Sequence, residues 1–289
     1  MSKQGNANHE KSGIIDVGGG MRGIYADGVF DRCMDEGIVF DLAIGISAGS
    51  ANVASYASGQ RGRNIAFYAD YTQRDEYMSL HNFIHDGAYV DMEYIYGTLS
   101  NDDGENPFDF DAFMESPTEV LVHACEAKTG KGHYFSKKDF KRNEYTPMMA
   151  SSAIPFVCKP YKVGDVEYFD GALGDTIPLE KAYEWGCTKV VLVLTKPIDV
   201  PRKAGKDILL ARLIQRKYPE SAERLYKRAE RYNFGVELAK ALEKDGLCLV
   251  LAPDDTCGVD TLTKDPDAMM RLYAKGYEDA SRIKSFLEK

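Results

Sequence analysis

The residues whose types and spacing most clearly suggest catalysis are 45–49, where the sequence reads Gly-Ile-Ser-Ala-Gly. An apolar run precedes this segment, and small residues that can continue as a helix follow it. This strand–turn–helix order is typical of a nucleophile elbow, a sharp turn that lifts a serine hydroxyl clear of the sheet. A side chain at Gly45 or Gly49 would crowd that turn. The segment therefore predicts a nucleophilic Ser47, and the alternative is a glycine-rich turn without chemistry.

A second group of such residues is the glycine-rich loop at 18–23, which follows a short apolar strand. Backbone N–H groups in this loop can point at one spot, and a helix that starts behind them adds partial positive charge. An oxyanion hole requires this arrangement. The prediction is that Gly19 and Gly20 donate, with Gly18 and Met21 as their neighbours.

A candidate base is Asp170, which follows a strand-like run and precedes Gly171. In α/β-hydrolases the order along the chain is serine, acid, histidine. All five histidines precede Asp170, so a triad in that order cannot include it; they are His9, His81, His85, His123 and His133. The simpler prediction is a Ser47–Asp170 dyad, in which Asp170 needs a raised pKa or a closely held hydrogen bond to act as a base.

For three charged residues near these motifs, a structural role and a role in function are alternative interpretations. Arg22 either holds the glycine-rich loop in place or meets an anionic head group, and the first is favoured. Asp16 precedes the loop and is expected to be a buried, hydrogen-bonded organiser. Asp175 could replace Asp170 as base, but its position before a helix favours a capping role. Gly23 and Gly171 are expected to support the site.

Together, the segments 18–23, 45–49 and 170–172 resemble the patatin-like phospholipases. Segments 150–156 and 175–179 resemble the same family, and the region around 230–233 is similar to its bacterial branch. The resemblance covers roughly residues 12–195. It implies an α/β/α fold, a Ser-Asp dyad and hydrolysis of acyl esters in lipids, with no metal or cofactor. The alternatives are a small-ester or thioester hydrolase without lipid preference, or a catalytically idle lipid-binding protein on the same fold.

A dinucleotide site is the competing interpretation of the glycine-rich loop, since Gly18, Gly20 and Gly23 also satisfy G-x-G-x-x-G. The ribose-binding acid belongs at the end of the second strand. The available acid, Asp41, precedes that predicted strand instead. Nucleotide binding is therefore disfavoured.

The composition argues against a nucleic-acid-binding, membrane-spanning or disulfide-rich secreted protein. The formal net charge of −9 argues against nucleic-acid binding by the whole chain. No run approaches the ~18 apolar residues of a membrane-spanning helix, and residues 1–12 are polar, which predicts a disordered arm and no secretory signal. Six scattered cysteines without a C-x-x-C pair favour reduced core thiols. We expect a cytoplasmic protein, with peripheral membrane contact as a further expectation.

The charge is unevenly distributed, because residues 201–231 contain ten Lys or Arg and four Asp or Glu, a net charge of +6. This basic block also contains apolar residues near helical spacing: Ile208, Leu209, Leu210, Leu213 and Ile214. Such a helix could lie on a surface of anionic lipid. The favoured alternative is a solvated helix face that covers the sheet.

Alternating strand and helix patterns predict a three-layer α/β/α fold with a mainly parallel sheet, as one domain over 13–289. Its catalytic motifs would lie within 18–175, and 200–289 would supply a helical region and the last strand. Predicted strands are 14–17, 42–46, 119–126, 161–169 with a hairpin turn at 164–165, 189–195 and 247–252. Predicted helices are 21–36, 48–58, 63–74, 177–185, 221–243 and 265–287.

The aromatic-rich segment 81–113 has two interpretations of equal weight. It could be a lid or acyl-chain wall over Ser47. It could instead be an irregular excursion at the periphery, packed by its own aromatic side chains.

Overall fold

One eight-stranded sheet organises the protein, whose computed structural model describes residues 10–289. The strands are β1 (Lys11–Asp16), β2 (Leu42–Ile46), β3 (Glu119–Glu126), β4 (Gly132–Ser136), β5 (Tyr161–Val163), β6 (Val166–Asp170), β7 (Cys187–Val193) and β8 (Cys248–Leu251). Strands β3, β2, β1, β7 and β8 run parallel in that order, whereas β4, β5 and β6 add antiparallel pairs. The sheet is therefore mainly parallel, as the sequence predicts.

Helices cover both faces of this sheet. They are α1 (Ile24–Asp35), α2 (Gly49–Ala57), α3 (Arg63–Ile65), α4 (Leu80–Asp86), α5 (Phe110–Glu115), α6 (Thr146–Ser151), α7 (Gly171–Gly174), α8 (Leu179–Trp185), α9 (Gly205–Ile214), α10 (Pro219–Tyr226), α11 (Arg228–Lys244), α12 (Pro266–Asp279) and α13 (Arg282–Leu287). Successive strand residues point to opposite faces, so Ile14 packs in the core with α1, α2 and α12, while Ile15 packs with α8 and α11. The three-layer α/β/α prediction is confirmed.

The ends of β2 and β6 meet beside the same edge of β3. Strand β4 occupies one edge of β3 from residue 121 to 125, so β2 and β6 must share the other. On that edge Ile46 pairs with His123, and Asp170 pairs with the next residue, Ala124. Because β2 runs parallel and β6 antiparallel to β3, their carboxyl ends point at each other. This register brings the residue after Ile46 next to Asp170.

The predictions for the start of β1 and for β4 are wrong. Lys11 and Ser12 were expected in a disordered arm, yet they begin β1, because they pair with β7 and the Ser12 N–H donates to Asp41 at 2.8 Å. Of the rest of that predicted arm, Glu10 is exposed without regular secondary structure, and residues 1–9 lie outside the described residues. Strand β4 is absent from the prediction, since its mixed composition has no clear alternation.

The long predicted helices are broken into shorter ones. Segment 63–74 is one turn of α-helix, then a π-helical turn and a 3₁₀ turn. Segment 221–243 divides at Lys227, which lies between α10 and α11 with φ of −94° and ψ of −1°. Segment 265–287 divides after Asp279. Side-chain periodicity continues across such breaks, which is why the pattern does not reveal them. No helix among residues 10–289 is long and apolar enough to cross a membrane.

The C-terminal region shares the sheet and the core with the rest of the chain. Strand β8 pairs with β7, and α12 packs against α1. Small residues allow the close approach of these two helices: a Cβ on Gly276 would overlap the carbonyl oxygen of Tyr25, and one on Gly28 would overlap that of Tyr273.

Candidate active site

Ser47 occupies a strained turn at the end of β2. Its φ of +56° lies in the left-handed region that side chains rarely adopt, and its side chain is almost fully buried. The N–H of Ser47 donates to Ser151 Oγ at 2.8 Å, and Ser151 Oγ donates in turn to the carbonyl of His123 at 2.7 Å. Ser50 Oγ donates to the Ser47 carbonyl at 2.7 Å. These bonds stabilise the turn and fix the direction of the Ser47 side chain.

The glycines on either side of this turn are required by space. A Cβ on Gly45 would lie 2.5 Å from the carbonyl oxygen of Gly49, and a Cβ on Gly49 would lie 2.6 Å from that of Asp16. Both distances are shorter than van der Waals contact. The helix α2 can therefore start directly behind Ser47 and close to β1.

Asp170 faces Ser47 from the end of β6. Its carboxylate accepts a hydrogen bond from the N–H of Ala172 at 2.8 Å, and the Ser47 hydroxyl lies close enough to this carboxylate to lower its pKa. Its own N–H donates to the carbonyl of Ala153 at 2.9 Å. Burial raises the pKa of Asp170, and the charge of Arg228 together with the nearby Ser47 hydroxyl opposes this rise. The next residue, Gly171, has no space for a Cβ, which would overlap the His123 carbonyl oxygen.

His123 lies one residue along β3 from the partner of Asp170 but does not complete a triad. Burial lowers the pKa of its imidazole to about 3, so the ring is neutral near pH 7. The ring packs on Tyr134 with centroids 4.4 Å apart. Within residues 10–289, no hydrogen bond joins this imidazole to Ser47 or Asp170. Asp170 is therefore the titratable side chain that lies next to Ser47 among the residues considered above.

The glycine-rich loop lies beside Ser47 and has three consecutive residues of positive φ: 65° at Gly18, 135° at Gly19 and 63° at Gly20. The Gly18 N–H donates to Asp16 at 2.8 Å, and the Met21 N–H donates to the carbonyl of Thr261 at 3.1 Å. These two groups are therefore neighbours of the oxyanion position and not free donors. The N–H groups of Gly19 and Gly20 have no acceptor in the described part of the chain.

A further free donor, which the sequence analysis missed, is the N–H of Ala48. This group immediately follows Ser47 and also lacks an acceptor among residues 10–289. In a nucleophile elbow the residue after the serine commonly contributes to the oxyanion hole. The G-x-S-x-G spacing itself is the signal that could have identified it.

Asp16 organises the loop, as expected from the sequence. Its two carboxylate oxygens accept from the Gly18 N–H and, at 2.8 Å, from the Asn52 side chain. Burial raises the pKa of Asp16 to about 7. Asp175 accepts from the N–H of Ile177 at 3.2 Å, which agrees with the predicted capping role.

Arg22 is also a structural residue here. Its buried guanidinium pairs with Asp260 and donates to Thr261 Oγ1 at 3.2 Å. Arg22 thereby ties the glycine-rich loop to the segment before α12. Gly23 completes the loop, since a Cβ there would overlap the hydroxyl of Tyr68.

The positions of Asp41 and the glycine-rich loop contradict the dinucleotide-binding interpretation. Asp41 lies at the amino end of β2, where it accepts from Ser12, whereas the glycine-rich loop follows the carboxyl end of β1. The two features are at opposite ends of parallel neighbouring strands.

Ser47 lies where two cavities meet. The apolar cavity has a volume of about 80 Å³, and its walls include Met21, Ala51, Phe67, Val90, Ile95 and Val157. The cationic cavity is larger, about 480 Å³, and is bounded by Asp170, Gly18–Gly20 and the charged residues Arg22, Lys196, Arg202, Lys206, Asp207 and Arg228. An ester bound at Ser47 would extend an apolar part and a polar part in different directions.

The aromatic-rich segment combines parts of both predicted interpretations. Its middle part lines the apolar cavity through Val90, Met92, Ile95 and Tyr96. Its last part packs instead among aromatic rings, where Phe108 contacts Phe113 and Tyr145 at centroid distances of 5.2 Å. The wall interpretation applies to the middle part and the packing interpretation to the last.

The apolar residues of the basic block lie on α9, which packs against α10. The side chains of Leu209 and Leu213 are 60% and 51% exposed. Leu209 and Leu210 line the cationic cavity. The same helix also packs towards the sheet, because Leu210, Ala211 and Ile214 share a core cluster with Cys125 of β3 and Phe169 of β6. This agrees with the favoured prediction of a helix face that covers the sheet, and lipid contact stays a prediction.

Comparison with known proteins places this site in a family. A model described as patatin-like phospholipase matches residues 17–183, and a domain of unknown function, DUF6363, matches residues 218–289. The uncharacterized protein YjjU of Escherichia coli K12 is 29% identical over 189 residues, 64% of this chain and 52% of that protein. The chain thus spans about half the length of this curated relative.

Among solved structures, the crystal structure of VipD from Legionella pneumophila aligns with 94% of this chain and 66% of that chain, at 12% identity and a TM-score of 0.49. The patatin-like phospholipase model covers more than half of the sequence described above. The chain therefore belongs to the patatin-like phospholipase family.

Proposed function

We propose that this protein is a serine acyl hydrolase that cleaves carboxylic ester bonds of lipids, of the phospholipase A or lysophospholipase type. The observation that carries the proposal is the close approach of Ser47 and Asp170 at one edge of β3, where two cavities meet at Ser47. Family membership supports ester hydrolysis of lipids in general.

In the proposed first step, Ser47 Oγ attacks the carbonyl carbon of the ester while its proton moves to the Asp170 carboxylate. The carbonyl oxygen becomes an oxyanion, for which the free N–H groups of Gly19, Gly20 and Ala48 supply hydrogen bonds. When the ester C–O bond breaks, the leaving alkoxide takes the proton from Asp170. An acyl-Ser47 intermediate is left.

In the second step, water attacks the acyl carbon and gives a proton to Asp170. Collapse of the tetrahedral intermediate breaks the bond to Ser47 Oγ, which recovers that proton, and the fatty acid leaves. The raised pKa of Asp170 suits both steps, because a carboxylate of ordinary pKa is a weak base near pH 7.

The first test is covalent labelling of the purified protein with a fluorophosphonate, which reacts with activated serines. We expect stoichiometric labelling of the wild type, complete loss in Ser47→Ala and at least a tenfold slower reaction in Asp170→Asn, on the scale of general-base catalysis. Ser152→Ala is the matched control, since its hydroxyl lies in the same cavity but contacts Tyr96 and no carboxylate. Labelling that persists in Ser47→Ala would overturn the proposal.

The small volume of the apolar cavity favours a second candidate, hydrolysis of short-chain esters or thioesters. Esters of one alcohol with acyl chains of increasing length distinguish the two. A maximum of kcat/KM at short chains, with no turnover of phospholipid vesicles, would support the second candidate.

A protein without catalysis on the same fold is the remaining alternative from the sequence. It predicts vesicle binding by a well-folded wild type that neither reacts with the fluorophosphonate nor hydrolyses any ester of the series.

A further inference from the structure

Positive charge is concentrated at the larger of the two cavities beside Ser47. Lys196, Arg202 and Arg228 lie on its wall, in the same cavity as Ser47 and Asp170. None of these three cations falls within the segment 17–183 that matches the patatin-like family. Lys196 lies shortly after β7, Arg202 lies in the loop before α9, and Arg228 is the first residue of α11.

The acidic groups in this cavity do not balance its cations. The single carboxylate of Asp207 forms ion pairs with two of the cations. It accepts hydrogen bonds from Arg202 at 2.8 and 3.0 Å and lies 3.5 Å from the Arg228 guanidinium. Asp260, next to the cavity, is shared in the same way between Arg22 and Lys206.

Lys196 has no hydrogen bond or ion pair anywhere in the described part of the chain, although its side chain is only partly exposed. Burial and the nearby charges of Arg22 and Arg202 lower the pKa of this ammonium to about 8. A cation that is held among other cations in a cavity gains strongly from an anionic partner. Lys196 is therefore the residue with most to gain from a bound anion.

Asp170 does not serve as that partner. No salt bridge or hydrogen bond joins its carboxylate to Lys196, Arg202 or Arg228 within residues 10–289. Its pKa stays above the ordinary value despite the charges of the two arginines. The three cations thus line the cavity next to Ser47 and Asp170 without neutralising the Asp170 carboxylate.

We propose that Lys196, Arg202 and Arg228 bind the phosphate group of the substrate, so that the preferred esters carry a phosphate close to the scissile bond. This inference rests on the proposed ester hydrolysis at Ser47. Guanidinium groups donate parallel N–H bonds to phosphate oxygens, and an ammonium adds a compact point charge. With the acyl chain in the apolar cavity, the phosphate would occupy the cationic cavity on the other side of Ser47.

The test is a binding measurement on Ser47→Ala, which needs no turnover. Isothermal titration calorimetry compares a 1-acylglycerol 3-phosphate with the monoacylglycerol of the same chain, both below their critical micelle concentrations. We expect the phosphate compound to bind at least tenfold more tightly, as expected for charge-assisted hydrogen bonds. Equal dissociation constants for the two ligands would overturn the inference.

Variants at Lys196 and Lys203, all made in the Ser47→Ala background, show which side chain causes the phosphate preference. Lys196→Gln should lower the phosphate preference about tenfold, and Lys196→Arg should restore most of it. Lys203→Gln removes the same charge from an exposed side chain of the same segment and should leave the preference unchanged. If Lys196→Gln and Lys203→Gln lowered the phosphate preference equally, a specific phosphate site would be refuted, since the overall surface charge would then explain the preference.

A third ligand, sn-glycerol 3-phosphate, separates lipid phosphate from soluble phosphate compounds. It should bind much more weakly than the acylated compound; affinity equal to that of the acylated compound would overturn the assignment to lipid. Failure of the proposed hydrolysis would appear elsewhere, as absent fluorophosphonate labelling of the wild type with the phosphate preference intact.

Discussion

The two cavities that meet at Ser47 differ in chemistry and in the part of the chain that builds them. The apolar cavity is formed mainly by residues within 17–183, the segment that matches the patatin-like family. The cationic cavity takes most of its charged residues from beyond that segment, including Arg228 in the region that matches DUF6363. Ser47, Asp170 and most of the apolar wall thus lie in the family-matched segment, while the charged wall depends on the C-terminal third.

This difference explains how residues far from the catalytic motifs reach the site. The carbonyl of Thr261 accepts from the Met21 N–H, and Asp260 pairs with Arg22. The segment before α12 therefore contacts the glycine-rich loop directly. We expect the C-terminal region to influence both the stability of the loop and the choice of substrate.

The largest expected effect comes from separating the two regions at their helix contact. In Gly276→Ala the new Cβ would overlap the Tyr25 carbonyl oxygen, so α12 must move away from α1. We expect a loss of about 2–3 kcal/mol in the free energy of unfolding, the scale of overpacking in a core. Urea denaturation, followed by fluorescence and circular dichroism, measures it.

Gly205→Ala is the control for this change, since nothing lies within 4 Å of a Cβ at that helical position. It should alter the free energy of unfolding by no more than about 0.5 kcal/mol. Two separate unfolding transitions in the wild type would contradict a shared core and would mean that the cationic cavity lies between independent units.

A change on the apolar side should alter chain-length preference alone. Ala51→Phe fills part of the apolar cavity and removes room for about two methylenes, each worth about 0.8 kcal/mol. We expect the ratio of kcat/KM for an eight-carbon to a two-carbon ester to fall about tenfold. Ala51→Ser keeps the volume and should keep the ratio. An unchanged ratio in Ala51→Phe would mean that the acyl chain lies elsewhere.

The smallest expected effect is a shift in pH dependence, measured with a neutral ester so that phosphate binding does not intervene. Asp170 must be ionised to act as base, so kcat/KM falls as pH drops through its raised pKa. Arg228→Gln removes a charge that lowers this pKa, and the acidic limb should therefore move to higher pH. Arg224→Gln, whose charge acts on Cys125 and Arg231, is the control. A limb that stays in place or moves to lower pH would contradict the proposed role of Asp170.

Local patterns predicted the elements that carry strong periodicity or turn chemistry. The bounds of β2 and β3 are those predicted, and the hairpin turn at 164–165 is confirmed, because glycine-marked turns and apolar runs act over a few residues. Strand β4 and the break at Lys227 escaped prediction. Their conformations depend on pairing with β3 and on packing between helices, which leave no local signal.

The sequence by itself determined the elbow at Ser47 and the glycine-rich loop. The elbow needs glycines at 45 and 49 because a Cβ has no space there, and the loop needs them at 18–20 because their φ angles are positive. Only the tertiary structure decided that Ser47 and Asp170 meet, through adjacent positions on one edge of β3. It alone also gathered Lys196, Arg202 and Arg228 at one cavity. Contacts between residues so distant in sequence arise from sheet register and helix packing, which no single segment encodes.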